Sequence, residues 1–280
     1  GDRRDRTRDT VGFSMRQQRI PDGTIACAEA GRGAPVVLLH AFPLNHAMWR
    51  AQIAALQGEF RVLAPDLRGF GGTSPFQETP SLARMADDIA QLLDALGVSE
   101  PVTLGGLSLG GYVALNFAHR HPQRLRALIL ANTRAEADGE QAKTNRAALI
   151  EFAQNHTMAE FADKVLPDLL AESTRQNRPE VLAELKAIAA ANSPDGIVTA
   201  LQAMRDRPDA TAWLPQITVP TLLVFGEKDA LAPSHVLATL QNGLPNARLK
   251  TIPEAGHLSN LEAPEAFNEI LLEFLRARDQ

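Results

Sequence analysis

Cysteine is almost absent from this chain of 280 residues, and the single one, Cys27, lies in the apparent strand 24–30. One cysteine cannot form an internal disulfide, which excludes the class of small disulfide-stabilised domains. A free cysteine in an apolar strand behaves as a small hydrophobic residue. We therefore expect Cys27 to be a buried packing thiol rather than a reactive one.

Excess basic charge and long apolar runs are also lacking. Lys and Arg total 28 against 33 Asp and Glu, for a formal net charge of −5, which argues against a nucleic-acid-binding face or a polybasic membrane patch. The longest mainly apolar run, 102–118, is interrupted by glycines and polar residues and predicts no transmembrane helix. Residues 1–11 are rich in Arg and Asp and lack the apolar core of a signal peptide. We expect these residues to form a flexible tail and the protein to be cytoplasmic.

Short apolar stretches alternate with helical stretches along most of the chain, which is typical of parallel βαβ units. Stretches that are apolar throughout favour strands covered by helices on both faces of a sheet. The first two strands, joined by Pro21-Asp22-Gly23, predict a hairpin. The eight predicted strands are 13–20, 24–29, 36–40, 60–65, 102–104, 125–131, 221–225 and 248–252. The predicted helices between and after them include 48–56, 82–96 with Ser81 as its N-cap, 109–119 and 264–278.

One interval, residues 134–213, contains helical stretches but no strand pattern. The helical stretches are 145–154, 158–166, 179–191 and 195–204. We predict an α/β core formed by residues 12–133 and 214–280, with residues 134–213 inserted as a helical lid. The alternative is a helical extension with a purely structural role.

The most informative motif is G-x-S-x-G, present as Gly106-Leu-Ser108-Leu-Gly110 between a predicted strand and a predicted helix. A nucleophilic serine at such a sharp turn needs small neighbours two positions away on each side. The start of the following helix directs backbone N–H groups toward developing negative charge. The motif therefore predicts that Ser108 is a nucleophile.

A serine nucleophile requires a base, and the base requires an acid that orients it. His257 lies in the loop between the last strand and the last helix, at the edge of the sheet where active sites of open α/β sheets form. Asp229 follows the penultimate strand and is the favoured acid, with Glu227 as the alternative. The earlier strand 125–131 is followed by Asn132 and offers no carboxylate. The resulting order is Ser108, Asp229, His257.

With these residues in place, the chain resembles the α/β-hydrolase superfamily over residues 13–278. His40-Ala-Phe-Pro43 is similar to the H-G-x-P oxyanion loop of the family, with alanine in place of glycine. The histidine of this motif is expected to orient the loop. Residues 66–74 are similar to D-x-R-G-x-G-x-S, and residues 256–264 match G-H-x-x-x-x-E-x-P. The branch resembles esterases, 3-oxoadipate enol-lactonases and cofactor-free haloperoxidases.

The resemblance implies an eight-stranded, mostly parallel sheet with helices on both faces and an inserted helical lid. It implies that Ser108 attacks the substrate, that His257 is the general base and that Asp229 orients it. The backbone N–H groups of Phe42 and Leu109 would form the oxyanion hole.

We expect a serine hydrolase that cleaves a small to medium, largely apolar carboxylic ester through an acyl-enzyme, with Met158, Phe161 and Trp213 in the substrate pocket. Arg134 or Arg146 would instead bind a substrate carboxylate if the protein were similar to an enol-lactonase. A lactonase, a perhydrolase, a C–C bond hydrolase and a non-catalytic ligand receptor are the alternatives. No cofactor, metal ion, nucleic acid or membrane partner is expected, and the protein would be a monomer or a small homo-oligomer.

Overall fold

A computed structural model describes residues 12–74 and 81–278 and places eight strands of these residues in one sheet. The strands are β1 (Ser14–Ile20), β2 (Gly23–Ala30), β3 (Pro35–Leu39), β4 (Arg61–Pro65), β5 (Val102–Leu107), β6 (Leu125–Ala131), β7 (Thr221–Gly226) and β8 (Ala247–Ile252). Their order is β1-β2-β4-β3-β5-β6-β7-β8. The pairs β1–β2 and β2–β4 are antiparallel and all other neighbours are parallel. This confirms the predicted mostly parallel eight-stranded sheet. The predicted tail, residues 1–11, lies outside the described residues.

The central strands are almost entirely apolar because both faces of the sheet are covered. Every residue of β3, β5 and β7 is buried. Successive side chains of β3 alternate between two hydrophobic cores, with Val37 and Leu39 in one and Val36 and Leu38 in the other. The helices α2 (Leu82–Ala95) and α3 (Leu109–Arg120) contribute to the first core, and α1 (Arg50–Leu56) to the second.

The predicted helices of the core are confirmed to within a few residues at their ends. The stretch 48–56 begins as a 3₁₀ turn, His46–Trp49, before α1. Ser81 caps α2, because its side chain accepts a hydrogen bond of 3.1 Å from the backbone N–H of Arg84. None of the helices in the described part of the chain has both the length and the hydropathy to cross a bilayer.

Residues 134–213, which we call the helical segment, are all described and contain no strand. Its α-helices are α4 (Glu140–Asn155), α5 (Met158–Val165), α6 (Glu172–Asn177), α7 (Pro179–Ala190) and α8 (Pro194–Arg205). After it come α9 (Ser234–Gly243), α10 (Ser259–Glu262) and α11 (Pro264–Arg276), and α11 packs in the second core. The short helix α6 has no counterpart among the predicted helices. The function of the helical segment as a lid stays a prediction.

Cys27 is completely buried in β2. Burial raises the pKa of its thiol far above the ordinary value, and the nearby charges of Glu29 and Asp66 act in the same direction. A thiol with a raised pKa remains protonated at neutral pH, and the thiolate is the reactive form. The structure confirms that Cys27 is a buried packing residue.

Candidate active site

Ser108 lies at the sharp turn between β5 and α3, in a backbone conformation that residues other than glycine rarely adopt. Its backbone angles are φ 56° and ψ −113°, a strained combination for a residue other than glycine. The backbone segments around Ser108 approach each other so closely that a Cβ at Gly106 would lie 2.1 Å from the carbonyl oxygen of Gly110. A Cβ at Gly110 would lie 2.1 Å from the carbonyl oxygen of Leu39. The glycines of the G-x-S-x-G motif are therefore required by the turn itself.

The neighbouring strand β6 holds this turn through the backbone of Ser108. The N–H of Ser108 donates to the carbonyl oxygen of Ala131 at 3.0 Å. The hydroxyl of Thr133 donates to the carbonyl oxygen of Ser108 at 2.8 Å. Gly111 lets Thr133 approach, because a Cβ at this glycine would lie 2.4 Å from the Thr133 hydroxyl oxygen. The position of Ser108 is thus held by β6 and by Thr133, which follows the end of that strand.

His257 and Asp229 contact each other at the carboxyl edge of the sheet. The Nδ1 atom of His257 lies 2.9 Å and 3.1 Å from the two carboxylate oxygens of Asp229. Each of the two residues is only 7% exposed. Glu227, the alternative acid, is exposed, and its carboxylate accepts a hydrogen bond from the N–H of Glu254. Of the two candidate acids, Asp229 is the one whose carboxylate contacts the histidine.

Three donors converge on the Asp229 carboxylate. In addition to His257, the side-chain amide of Asn132 and the backbone N–H of Leu231 donate to it, each at 2.9 Å. Burial raises the pKa of Asp229, but the charge of His257 and these hydrogen bonds outweigh it and hold the pKa below the ordinary value. Asp229 is therefore ionised at neutral pH, as an acid that orients a histidine must be.

Asn132 supports both the acid and the loop of the base. It adopts a left-handed backbone conformation with φ 45°, which asparagine tolerates better than most residues. Its amide also donates to the carbonyl oxygen of Gly256 at 3.2 Å, and its own side-chain oxygen accepts a 2.6 Å bond from the hydroxyl of Ser259. The sequence showed only that Asn132 is not a carboxylate, and its role in positioning Asp229 was missed.

Glu262 is a second buried residue whose role the sequence did not predict, although it belongs to the terminal G-H-x-x-x-x-E-x-P motif. Its carboxylate accepts hydrogen bonds from the N–H of Gly256 at 2.9 Å and the N–H of Ala171 at 2.8 Å. The hydroxyl of Thr174 donates to the same carboxylate at 2.8 Å. Glu262 thus ties the residue next to His257 to the helical segment.

The loop after β3 carries the predicted oxyanion donor at Phe42. Ala41 is not among the described residues with positive φ, so the alanine at the usual glycine position adopts ordinary geometry. The carbonyl oxygen of Ala41 accepts hydrogen bonds from the N–H of Leu44 at 2.9 Å and from Nδ1 of His40 at 3.0 Å. Because Phe42 N belongs to the same peptide group, these bonds also fix the direction of its N–H. Leu109, the other predicted donor, is the first residue of α3, where the N–H has no partner within the helix.

His40 joins the oxyanion loop to the loop after β4. Its Nε2 atom accepts a 2.9 Å hydrogen bond from the N–H of Leu67 while Nδ1 donates to Ala41. Only the neutral imidazole with its proton on Nδ1 can make both bonds. Complete burial lowers the pKa of His40 to about 4, although Asp66 and the bond to Ala41 act in the opposite direction. The expected loop-orienting contacts of His40 are therefore those of a neutral ring.

We expect His40 to make the stability of the protein depend on pH. The unfolded chain binds the proton near pH 6.5 and the folded protein near pH 4, so acidification favours unfolding between these values. The contribution of His40 to the free energy of unfolding is complete above about pH 6.5 and is lost as the pH falls toward 4. The free energy of unfolding should therefore be about 2 kcal/mol lower at pH 5 than at pH 7. Urea unfolding at the two pH values measures it. In His40→Gln this part of the pH dependence is expected to disappear, and an unchanged dependence would contradict the assignment.

A cavity of about 520 Å³ lies beside the predicted nucleophile and the predicted base. Ser108, His257 and Phe42 all line it. Its remaining apolar or aromatic walls include Pro43, Tyr112, Leu149, Val165, Leu169, Met204 and Leu231. Its charged residues are Arg134, Asp138, Arg146, Lys164 and Asp168. The arrangement can hold a small molecule beside a serine hydroxyl and an imidazole.

The three residues predicted to contact the substrate do not line this cavity. Phe161 is completely buried and packs edge-on against the ring of Phe42, with 6.0 Å between ring centroids. Trp213 stacks on His119 at 4.2 Å, and Met158 packs in the first hydrophobic core. The apolar pattern of the helical segment correctly marked packing residues, but it does not tell which of them face a cavity.

Residues 34–264 match the family model described as the alpha/beta hydrolase fold. The chain is 38% identical to a thermophilic esterase from Thermogutta terrifontis, solved with malate bound, with a TM-score of 0.88 over 96% of this chain and 99% of that one. It is 31% identical to a pimeloyl-[acyl-carrier protein] methyl ester esterase of Neisseria meningitidis, over 86% of this chain and 92% of the relative. It is 28% identical to 3-oxoadipate enol-lactonase 1 of Acinetobacter baylyi, over 86% and 88% of the two chains.

Proposed function

Because the chain belongs to the α/β-hydrolase family, we propose that it is a serine hydrolase that cleaves carboxylic esters through an acyl-enzyme intermediate. The observation that carries the proposal is the common cavity of Ser108 and His257, with His257 held by the buried carboxylate of Asp229. Esterases among the relatives support the same reaction class.

The proposed reaction begins when the Ser108 hydroxyl oxygen attacks the ester carbonyl and passes its proton to Nε2 of His257. Asp229 holds the Nδ1–H of His257 and stabilises the imidazolium that forms. The N–H groups of Phe42 and Leu109 bind the negative oxygen of the tetrahedral intermediate. His257 returns the proton to the leaving alcohol, and a water molecule activated by the same histidine then hydrolyses the acyl-enzyme.

A panel of neutral p-nitrophenyl esters of increasing acyl length and of simple lactones tests the proposal, with product analysis. Because the cavity volume is about 520 Å³, small to medium acyl groups are expected to be hydrolysed best. Halogenation that requires both hydrogen peroxide and a short carboxylic acid would favour a perhydrolase instead. The absence of any turnover of esters or lactones would contradict the proposal.

A second candidate function, hydrolysis of a lactone or ester that carries a carboxylate, is favoured by the charge of the cavity. Arg146 pairs with Asp138 at 3.0 Å, and Asp138 also pairs with the buried Arg207 at 2.6 Å. Arg134 donates to the carbonyl oxygen of Leu231 at 2.7 Å, and no carboxylate of the described residues pairs with it. Its guanidinium therefore has the capacity to bind an anionic group of the substrate. The enol-lactonase relative supports this candidate.

We expect the substitution Arg134→Gln to weaken turnover of an anionic substrate selectively. With p-nitrophenyl hydrogen succinate and p-nitrophenyl butyrate as a pair of equal acyl length, kcat/KM should fall about 10-fold for the first and change little for the second. Salt should reduce the same preference in the wild type. Arg205→Gln, which removes an equal charge from an exposed pair with Asp206, is the matched control. Equal losses for both substrates would contradict anion binding by Arg134.

A further inference from the structure

The helical segment contributes a side chain, Asn192, that contacts the oxyanion loop directly. Asn192 lies between α7 and α8 and is only 6% exposed. Its side-chain nitrogen donates to the carbonyl oxygens of Pro43 at 2.7 Å and of Leu44 at 3.0 Å. Its side-chain oxygen accepts a 2.7 Å bond from the N–H of Gly71.

The orientation of the Asn192 amide is determined by its partners. Two carbonyl oxygens lie on one side and an N–H on the other, so the reverse orientation would place acceptor against acceptor and donor against donor. Both N–H donors of the amide and its oxygen are therefore bonded, and the side chain joins two loops that are distant in sequence. One of them is the oxyanion loop and the other is the turn of residues 66–74, whose Gly72 N–H donates to the carboxylate of Asp66 at 2.9 Å.

These contacts lead from Asn192 to the predicted oxyanion donor. Leu44, whose carbonyl oxygen is bound by Asn192, donates its own N–H to the carbonyl oxygen of Ala41. That oxygen and the N–H of Phe42 belong to one rigid peptide group. Pro43 has no N–H to add a further backbone bond. Two consecutive hydrogen bonds thus link Asn192 to the peptide group that carries the N–H of Phe42.

A backbone contact near Asn192 sets the distance between the helical segment and the turn of residues 66–74. At the start of α8, a Cβ on Gly196 would lie 1.8 Å from the carbonyl oxygen of Gly69. No side chain fits between these two glycines, so the two backbones touch. In addition, the ring of Phe42 lies between Phe70 and Phe161, with ring centroids 6.3 Å and 6.0 Å away.

We propose that Asn192 is a positioning residue for catalysis, which holds the oxyanion loop so that the N–H of Phe42 points at the developing oxyanion. This inference rests on the proposed serine-hydrolase function. It gives the helical segment a role in transition-state stabilisation, beyond that of a cover over the cavity. Misplacement of such a donor by a fraction of an ångström weakens its bond mainly in the transition state, where the oxygen is charged.

The test compares the wild type with Asn192→Asp and Asn192→Ala on a neutral p-nitrophenyl ester. Asn192→Asp is nearly isosteric but removes both donors and places a carboxylate against two carbonyl oxygens. We expect kcat to fall about 10- to 100-fold with KM nearly unchanged, because the lost interaction belongs to the transition state. Inhibition by phenylboronic acid, whose serine adduct is tetrahedral, should weaken in parallel. The pH profile of kcat/KM should keep its shape, since His257 and Asp229 are untouched.

Gln52→Ala is the matched control, because Gln52 is also a completely buried amide, and its side-chain nitrogen donates to Asn268 and Asn260 and not to the oxyanion loop. It should lower the melting temperature with kcat preserved. Should Asn192→Asp fail to fold because its buried carboxylate faces two carbonyl oxygens, Asn192→Ala carries the comparison. Retention of full kcat and boronate affinity by a folded Asn192 variant would overturn the inference while leaving the proposed function intact. A wild type that neither hydrolyses esters nor binds the boronate would overturn both.

Discussion

The substitution Ser108→Ala is expected to abolish ester hydrolysis, lowering kcat by about 10⁴-fold or more. The proposed mechanism has no other nucleophile, and only oxyanion stabilisation and substrate binding would remain. The fold should be preserved, because alanine at φ 56° meets the same backbone strain as serine and the flanking glycines are unchanged. Substrate affinity should change little, since the hydroxyl contributes little to ground-state binding.

Labelling with a fluorophosphonate distinguishes loss of the nucleophile from a general loss of structure. The wild type should gain one phosphonyl group, and mass spectrometry should locate it on the peptide that contains Ser108. Ser234→Ala, which removes an exposed hydroxyl at the start of α9, should be labelled and active like the wild type. Significant hydrolysis or labelling by folded Ser108→Ala would exclude Ser108 as the nucleophile.

The sequence was sufficient for the features that short stretches of chain determine by themselves. Strands such as β3 and β7 are almost entirely apolar because both faces are covered, and this pattern is visible without the structure. The turn at Ser108 requires glycines at fixed spacing, so the motif itself predicts strand, turn and helix. The positions of Asp229 and His257 were inferred from their places after strand ends, and the structure brings these two side chains into contact.

The sequence was insufficient where residues distant along the chain meet. Asn192 contacts Pro43 across 149 positions and Asn132 contacts Gly256 across 124, and neither separation leaves a local pattern. In the sequence, Asn192 looks like an ordinary residue of a turn between helices, and only the structure shows its contact with Leu44. The cavity wall shows the same limit. Phe161, which was predicted to contact the substrate, is buried outside the cavity, whereas Arg134 lines it. Which side chain faces the cavity is decided by how the helical segment packs, and hydrophobic periodicity alone cannot tell it.

The substitution Asp229→Asn is expected to lower kcat by about 10⁴-fold with little change in the fold. The carboxylate now accepts bonds from His257, Asn132 and the N–H of Leu231. An amide offers only one oxygen to these three donors, so its NH₂ group must face at least one of them. When the NH₂ faces His257, Nδ1 becomes an acceptor and the proton moves to Nε2, where the ring can no longer take a proton from Ser108.

The matched control for this prediction is Glu227→Gln, which removes the same charge from the alternative acid two residues earlier. Its carboxylate is exposed and bonded to the N–H of Glu254, so kcat should remain within about twofold of the wild type. Both variants are compared by steady-state kinetics and by thermal unfolding, because loss of a buried charge near His257 also affects stability. If Glu227→Gln lost activity to the same extent, or if folded Asp229→Asn remained nearly as active as the wild type, Asp229 would not be the acid that orients His257. The expected difference between the two variants arises from one contact, between Nδ1 of His257 and the Asp229 carboxylate, that Glu227 does not make.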